Sequence, residues 1–199
     1  MSQVGDKNTQ IAHADHVIVQ KSYNPMIFAN SGTVKRSAGT IQNGSWQPST
    51  DYYNLIVYGN DEYMEGALTV GSLLLSKDRV LSYGCTEETK ARFERLDNEA
   101  ITRIKSFPSI FASENHSYGR TDDDHQALLG RINDIGFEDN GIRLYFQTFY
   151  PIPQKRLNGL VFELGFVYSS SFNEFNRTHW AIKRVDLLAV LKAAGLNLF

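Results

Sequence analysis

The chain has 199 residues, 42% hydrophobic and 21% charged, which is ordinary globular composition. Its 20 basic and 22 acidic residues leave a formal net charge of −2, so there is no pervasive electrostatic grip on nucleic acid or on an anionic membrane; a local basic patch stays open. The length suffices for one domain, or two small ones, burying roughly 70% of the unfolded surface.

The single cysteine, Cys85, rules out an internal disulfide and leaves any zinc site to His and carboxylate ligands. Residues 1–15 are polar, and the longest apolar stretch, Ala67 to Leu75, is interrupted by Thr69, Gly71 and Ser72. These features predict no secretory signal, no membrane span and a reducing cytoplasmic location.

Along the chain, residues 2–12 read as a flexible leader, and Val17-Ile18-Val19 lie in a strand-like run over 11–20. Asn24-Pro25 marks a turn. Residues 31–50 are rich in Gly, Ser, Thr and Asn and predict a long loop or short edge strands, with Trp46 as an anchor onto the core. Tyr52 to Tyr58 predicts a strand that runs into the turn Gly59-Asn60-Asp61.

The helical spacing of Met64, Leu68, Gly71 and Leu75 favours a helix over 62–76, although each glycine weakens it by about 1 kcal/mol relative to alanine. Val80 to Tyr83 reads as a short strand. Thr86 to Ile104 predicts one helix, capped by Thr86 with Glu87 and Glu88 in its first turn. Ile110 to Ala112 is extended, and 113–124 is a polar loop.

Ala127 to Ile135 and Ile142 to Tyr150 predict an antiparallel hairpin joined through 136–141 and ended by Pro151 and Pro153. A short helix is expected over 157–166 and a polar, aromatic connection over 168–176. Thr178 to Val185 is extended, with Trp180 and Ile182 on one face. The terminal helix is opened by Asp186 and closed by Gly195. The order of elements predicts an α+β fold: an antiparallel sheet with a few packed helices and a C-terminal helix. Residues 1–20 form the leader and first strand, and 21–199 one domain with a subdivision allowed near residue 106.

Two polar clusters carry residue types suited to chemistry. The first is the loop from Glu114 to His125, with candidate catalytic residues Glu114, His116, Asp122, Asp124 and His125. Carboxylates and neutral imidazoles ligate divalent metals, and a histidine beside a carboxylate can act as a base. Consecutive aspartates on an extended chain alternate sides, so only Asp122 and Asp124 would converge. A solvated acidic loop is the other reading.

The second cluster is Arg177, His179, Trp180 and Lys183, whose planar fork, stacking face and point charge suit a phosphate or a flat ring. On a strand the alternative is that Thr178, Trp180 and Ile182 face the core while Arg177, His179 and Lys183 decorate the other face or edge. The pair His13 and His16 flanks Asp15 in the leader, a poor place to hold ligand geometry. Cys85 precedes a helix start, which would lower its pKa; a buried, inert thiol is the competing reading. Phosphate-loop, dinucleotide, nucleophile-elbow and His-Glu-x-x-His motifs are absent, so no cofactor or metal is assigned.

Tyr53-Asn54-Leu55-Ile56-Val57-Tyr58-Gly59-Asn60-Asp61-Glu62-Tyr63-Met64-Glu65-Gly66-Ala67-Leu68 with Ser72-Leu73 resembles the opening strand and helix of glycogenin-type glycosyltransferases, which implies a segment that helps hold the nucleotide of a sugar donor. The resemblance covers residues 53–75 only. The Asp-x-Asp of that family ends a strand, whereas Asp122 and Asp124 share a polar loop.

The leader Val4-Gly5-Asp6-Lys7-Asn8-Thr9-Gln10-Ile11, with Arg177-Thr178-His179-Trp180-Ala181-Ile182-Lys183 before Val185-Asp186-Leu187-Leu188, resembles pieces of bacterial defence and mobile-element proteins. That resemblance implies a context of host–phage conflict and a binding or accessory role. The sequence expectation is therefore a non-enzymatic binding module with a protein partner or self-association. Aromatic residues in polar segments (Tyr118, Tyr168, Phe172 and Phe175) add to it. The alternatives are a metal-dependent hydrolase or nuclease built on the 114–125 loop, and a nucleotide-signal binder built on Arg177, His179, Trp180 and Lys183.

Overall fold

The computed structural model describes residues 46–59, 70–116, 121–170 and 172–196. The expectations for the leader, the 11–20 strand and the Asn24-Pro25 turn lie outside those residues. The order is β1 (Tyr53–Tyr58), β2 (Val70–Leu75), α1 (Glu87–Phe93), α2 (Asn98–Ile104), β3 (Pro108–Ser113), β4 (Gln126–Glu138), β5 (Gly141–Pro153), α3 (Gln154–Asn158), β6 (Tyr168–Ser169), β7 (Phe172–Asn173), β8 (His179–Lys183) and α4 (Leu187–Ala193). One six-stranded sheet runs β2-β5-β4-β3-β1-β8, and β6 and β7 form a separate ribbon. Only β1 and β3 are parallel; the other neighbours are antiparallel. The class is α+β, and strands from either side of residue 106 share the sheet.

Both faces are covered along β1, β3, β8 and the adjoining part of β4, where the buried residues on either side are mostly apolar. Ile56, Phe111, Leu128, Ile132, Trp180 and Ile182 point to one face, under Phe93, Leu96, Ala100 and Ile104 from α1 and α2. Tyr53, Leu55, Val57, Ile110, Leu129 and Ala181 point to the other, under Leu157, Leu187 and Leu191 from α3 and α4. Such two-sided burial reads in sequence as a continuous apolar run rather than an alternation. The buried Asn54 is reconciled with its surroundings by donating to Ile104 O (3.3 Å) and Ser109 Oγ (3.1 Å) and accepting from Trp180 Nε1 (3.2 Å).

Several expectations need correction. Val70–Leu75 is a strand and not the end of a helix: Leu73 and Leu75 are buried with a period of two, and Gly71 lets the Phe146 ring lie against the backbone. Residues 60–69 of that expected helix lie outside the described residues. The expected single helix over 86–104 is two. Leu96 adopts a left-handed φ of 47°, and Asp97 then caps a new helix by accepting from Ala100 N at 2.9 Å.

The hairpin is longer than expected, with its turn at 139–140. Pro151 and Pro153 stay within β5. Among the described residues β2 pairs with β5 only as far as Gln147, short of both prolines, which lack the N–H that a second ladder would need. The helix expected at 157–166 occupies Gln154–Asn158 instead, followed by turns to Gly165. Val80 forms an isolated bridge to Trp180 rather than a strand.

Other expectations hold. Thr86 caps α1, and Asp186 caps α4 by accepting from Ala189 N at 3.0 Å. At the far end of α4, Gly195 (φ 74°) donates to Lys192 O and Leu196 to Leu191 O, the paired bonds of a glycine-terminated helix. Trp46 stacks near Phe149 (5.7 Å) and under Arg131 (5.7 Å).

Candidate functional site

The parallel pair β1 and β3 ends where the two polar clusters of the sequence meet. The carboxyl ends of parallel strands are where open sheets gather polar groups around ligands. Glu114, just past β3, turns its carboxylate onto the residue just before β8, accepting from Thr178 N and from Thr178 Oγ1 (2.5 Å). Its backbone N–H bonds Tyr58 O at the end of β1, and Asn115 N bonds Phe175 O.

Beside it lies a knot of amides. Asn115 donates to Asn158 (3.1 Å) and Asn173 (3.4 Å), Asn173 donates to Asn158 (2.6 Å), and Gln154 donates to Asn115 Oδ1 and Ser113 O (both 2.9 Å). Ser113 Oγ and Gln154 Oε1 are buried with no hydrogen-bond partner among the described residues.

Of the other expected residues in this loop, His116 Nε2 lies 3.3 Å from Asp122 Oδ2, with both side chains exposed. The His116 and His125 rings are 5.2 Å apart. Asp123 is drawn to Lys155 (2.6 Å), which holds its carboxyl below the ordinary value. Asp124 is exposed and its carbonyl accepts from Gln126. Among the described residues, no three His, Cys, Asp or Glu side chains are gathered to hold a metal ion.

The second cluster is divided by burial. Arg177 is exposed, its guanidinium 5.1 Å above the Tyr83 ring. His179 and Trp180 are fully buried and Lys183 is 4% exposed. The expectation that His179 and Lys183 decorate an outer face is thus corrected. They do share the face opposite Trp180 and Ile182, but that face carries the second core, under α3, α4 and the 159–176 segment.

What lets two ionisable groups sit there is Glu174, itself fully buried. The Lys183 ammonium bonds Glu174 Oε1, Gly84 O (2.5 Å) and Gly165 O (3.1 Å), which uses its three donors. His179 places Nε2 3.1 Å from Glu174 Oε2 and Nδ1 2.7 Å from Arg177 O. A carbonyl only accepts, so Nδ1 carries a proton. Val167 N adds a further bond to Glu174 Oε1 at 2.6 Å.

Burial alone would push the Glu174 carboxyl up, but the hydrogen bond from His179 and the Lys183 ammonium draw it below its ordinary value. Burial likewise draws the Lys183 ammonium down, against the opposing pull of Glu174. Gly84 is demanded twice: its φ is +75°, and a Cβ would collide with the Glu174 carboxylate. Cys85 is partly buried, which pushes its thiol up, while Ile182 N donates to its sulfur at 3.3 Å.

Sequence reasoning missed Glu174, Gly84 and the amides. A signal existed: Glu174 stands between Asn173 and Phe175 in an aromatic stretch, and a lysine two residues beyond Ala181 on a core-facing register requires an acid.

Above this cluster the chain turns outward. Tyr53 Oη, on β1, donates to Leu164 O at 2.8 Å and pins the 159–165 turns from below. Phe162, Val167 and Tyr168 are then left 76%, 48% and 52% exposed. Of the aromatics expected at the surface, Tyr168 is exposed, Phe172 is partly buried and Phe175 is fully buried; Tyr118 lies outside the described residues.

No helix among the described residues is long and apolar enough to cross a membrane. Comparison with protein families, with curated proteins and with solved structures finds no match.

Proposed function

We propose that this chain is a non-enzymatic binding module that presents the segment from Phe162 to Tyr168 to a protein partner, in the setting of bacterial phage defence or counter-defence. The observation that carries the reading is the pairing of that segment's exposure with its anchorage. Phe162, Val167 and Tyr168 face solvent, while the backbone around them is held by Lys183 at Gly165 O, Glu174 at Val167 N and Tyr53 at Leu164 O. Aromatic side chains are enriched at interfaces, and a segment already ordered loses less entropy on binding. The ionisable groups of the neighbouring cluster are occupied with internal bonds, which supports a scaffold role over catalysis for them.

The test is crosslinking of tagged protein in its native cells, with identification of the captured partner, for wild type and for the double variant Phe162→Ser with Tyr168→Ser. One partner is expected with wild type and at least about a tenfold loss with the variant, since exposed aromatic anchors contribute about 2 kcal/mol or more each at interface hot spots. Equal capture by both proteins, or none by either, overturns the proposal. The defence setting is tested separately, by plaque counts in cells with and without the gene.

A second reading, a metal-dependent hydrolase, draws on the approach of His116 to Asp122 and to His125. Calorimetric titration with manganese and zinc, repeated on Asp122→Ala with Asp124→Ala, decides it: no binding heat with wild type removes this reading.

A further inference from the structure

We propose that Glu174 is a charge-operated latch: ionised, it holds the segment from Phe162 to Tyr168 against the sheet, and once neutralised it lets that segment open while the rest of the fold stays closed. This regulates the surface proposed above and rests on that reading for its biological use; the latch itself is measured without a partner.

The carboxylate is carried on backbone that is fixed independently of the segment. Asn173 accepts from Phe175 N and Asn176 accepts from Asn173 N, both at 2.9 Å, which closes a capped 3-10 turn around Glu174. Asn115 N bonds Phe175 O at 2.7 Å, and Glu114 accepts from Thr178. From that base Glu174 reaches the segment twice. It accepts directly from Val167 N at 2.6 Å. It also holds the Lys183 ammonium, which donates to Gly165 O at 3.1 Å. The segment's own turns close on themselves, Leu164 N to Leu160 O (2.9 Å), Gly165 N to Phe162 O (3.0 Å) and Phe166 N to Val161 O (2.8 Å), so they can leave as one piece. Against opening stand the buried Leu164 and Phe166 and the Tyr53 bond to Leu164 O.

The groups facing Glu174 make its charge decisive. β8 supplies His179 and Lys183, β1 supplies Tyr53, and the stretch before α1 supplies Tyr83 and Cys85; Arg177 lies over the Tyr83 ring. Lys183 is the cation buried with it, and a buried ammonium stripped of its counter-charge is strongly penalised until water reaches it. The segment is part of the ammonium's cover, since Gly165 O is one of its acceptors, and Phe162, Val167 and Tyr168 already face solvent. Despite its burial, the Glu174 carboxyl is held below its ordinary value by His179 and Lys183. The latch is therefore closed above about pH 4.3 and releases as the pH falls through the folded value.

The test is amide hydrogen exchange of the full-length protein at about pH 7, read by mass spectrometry. Glu174→Gln stands in for the neutral acid and should speed exchange over residues 160–168 at least about tenfold, because one partner of a buried pair is removed. Ile104→Val, in the core on the opposite face of the sheet, loosens the fold as a whole. It should speed exchange of the β4 amides and leave residues 160–168 at the wild-type rate, because its contacts persist when only the segment opens. Should Glu174→Gln fail to fold, wild type compared at about pH 3 and about pH 7, corrected for intrinsic exchange, carries the same comparison through the acid itself. Exchange over 160–168 that is indifferent to the Glu174 charge, or that Ile104→Val accelerates as much as β4, overturns the latch. The capture experiment above reads the partner surface, so the two ideas fail separately.

Discussion

Replacing Glu174 by glutamine keeps the shape of the side chain and removes its charge. In the wild-type protein that charge faces the Lys183 ammonium and His179, with all three side chains at most 4% exposed. Glutamine can still accept from Val167 N through its one oxygen, but its NH2 cannot accept from His179 as the second carboxylate oxygen does. Gly84 O and Gly165 O continue to accept from Lys183, but the ammonium is left buried without a counter-charge. Removing one partner of a buried pair costs about 3–5 kcal/mol, against a total stability of about 5–15 kcal/mol for a domain.

Urea titration followed by the fluorescence of Trp180, fully buried one residue from His179, measures the loss. The pH dependence gives the sign. The folded Glu174 carboxyl lies below its ordinary value, so its contribution is complete above about pH 4.3 and disappears as the pH falls through the folded value. The wild-type and Glu174→Gln stabilities should therefore converge in acid and be furthest apart near neutrality. Lys183 acts in the opposite sense: its folded value is lowered, so its burial penalises the fold while it is charged and is relieved as the pH rises through that value towards about 10.4. A Glu174→Gln loss below about 1 kcal/mol at neutral pH, the range of an exposed pair, would refute this account of the cluster.

Gly84→Ala should lower stability by about 1–3 kcal/mol, from the left-handed backbone and the collision with Glu174; thermal melting should fall by about 2–4 °C for each kcal/mol. Cys85, whose thiol is pushed up by burial, should react with an aromatic disulfide reagent at least about tenfold more slowly in the native protein than in urea. Equal rates would contradict its placement.

The helix caps were legible because they depend on residues a few positions apart: Thr86 and Asp186 declare their helices, and Gly195 ends one. The β4–β5 hairpin was legible from its alternation and its turn. Asp97 carried the same cap signal, yet the apolar stripe from Phe93 to Ile104 continues across the break and concealed it. Val70–Leu75 was obscured because an apolar run containing glycine fits both periods, and pairing with β5 decides between them.

The candidate site was half legible. The 114–125 loop and the 177–183 segment stood out as polar, but their meeting through Glu114 and Thr178 depends on β1 lying between β3 and β8, a topological fact with no local trace. His179 and Lys183 looked like surface residues because an outward-facing register beside polar neighbours ordinarily meets water, and Glu174 lay unremarked in the polar connection before them. Here the helices behind β8 convert the outer face into interior.

β1 sits between β3 and β8, and β8 is encoded about 120 residues after β1 ends. On a ribosome adding about 5–20 residues per second, the later neighbour emerges roughly 6–25 s after the earlier strand. Throughout that interval one long side of Tyr53–Tyr58, buried on both surfaces in the folded chain, lacks the strand that later occupies it. Nascent chains of this protein thus pass through a stage in which a strand destined to be buried must be shielded by chaperones or by transient contacts, and chains terminated before His179 would keep that liability for good.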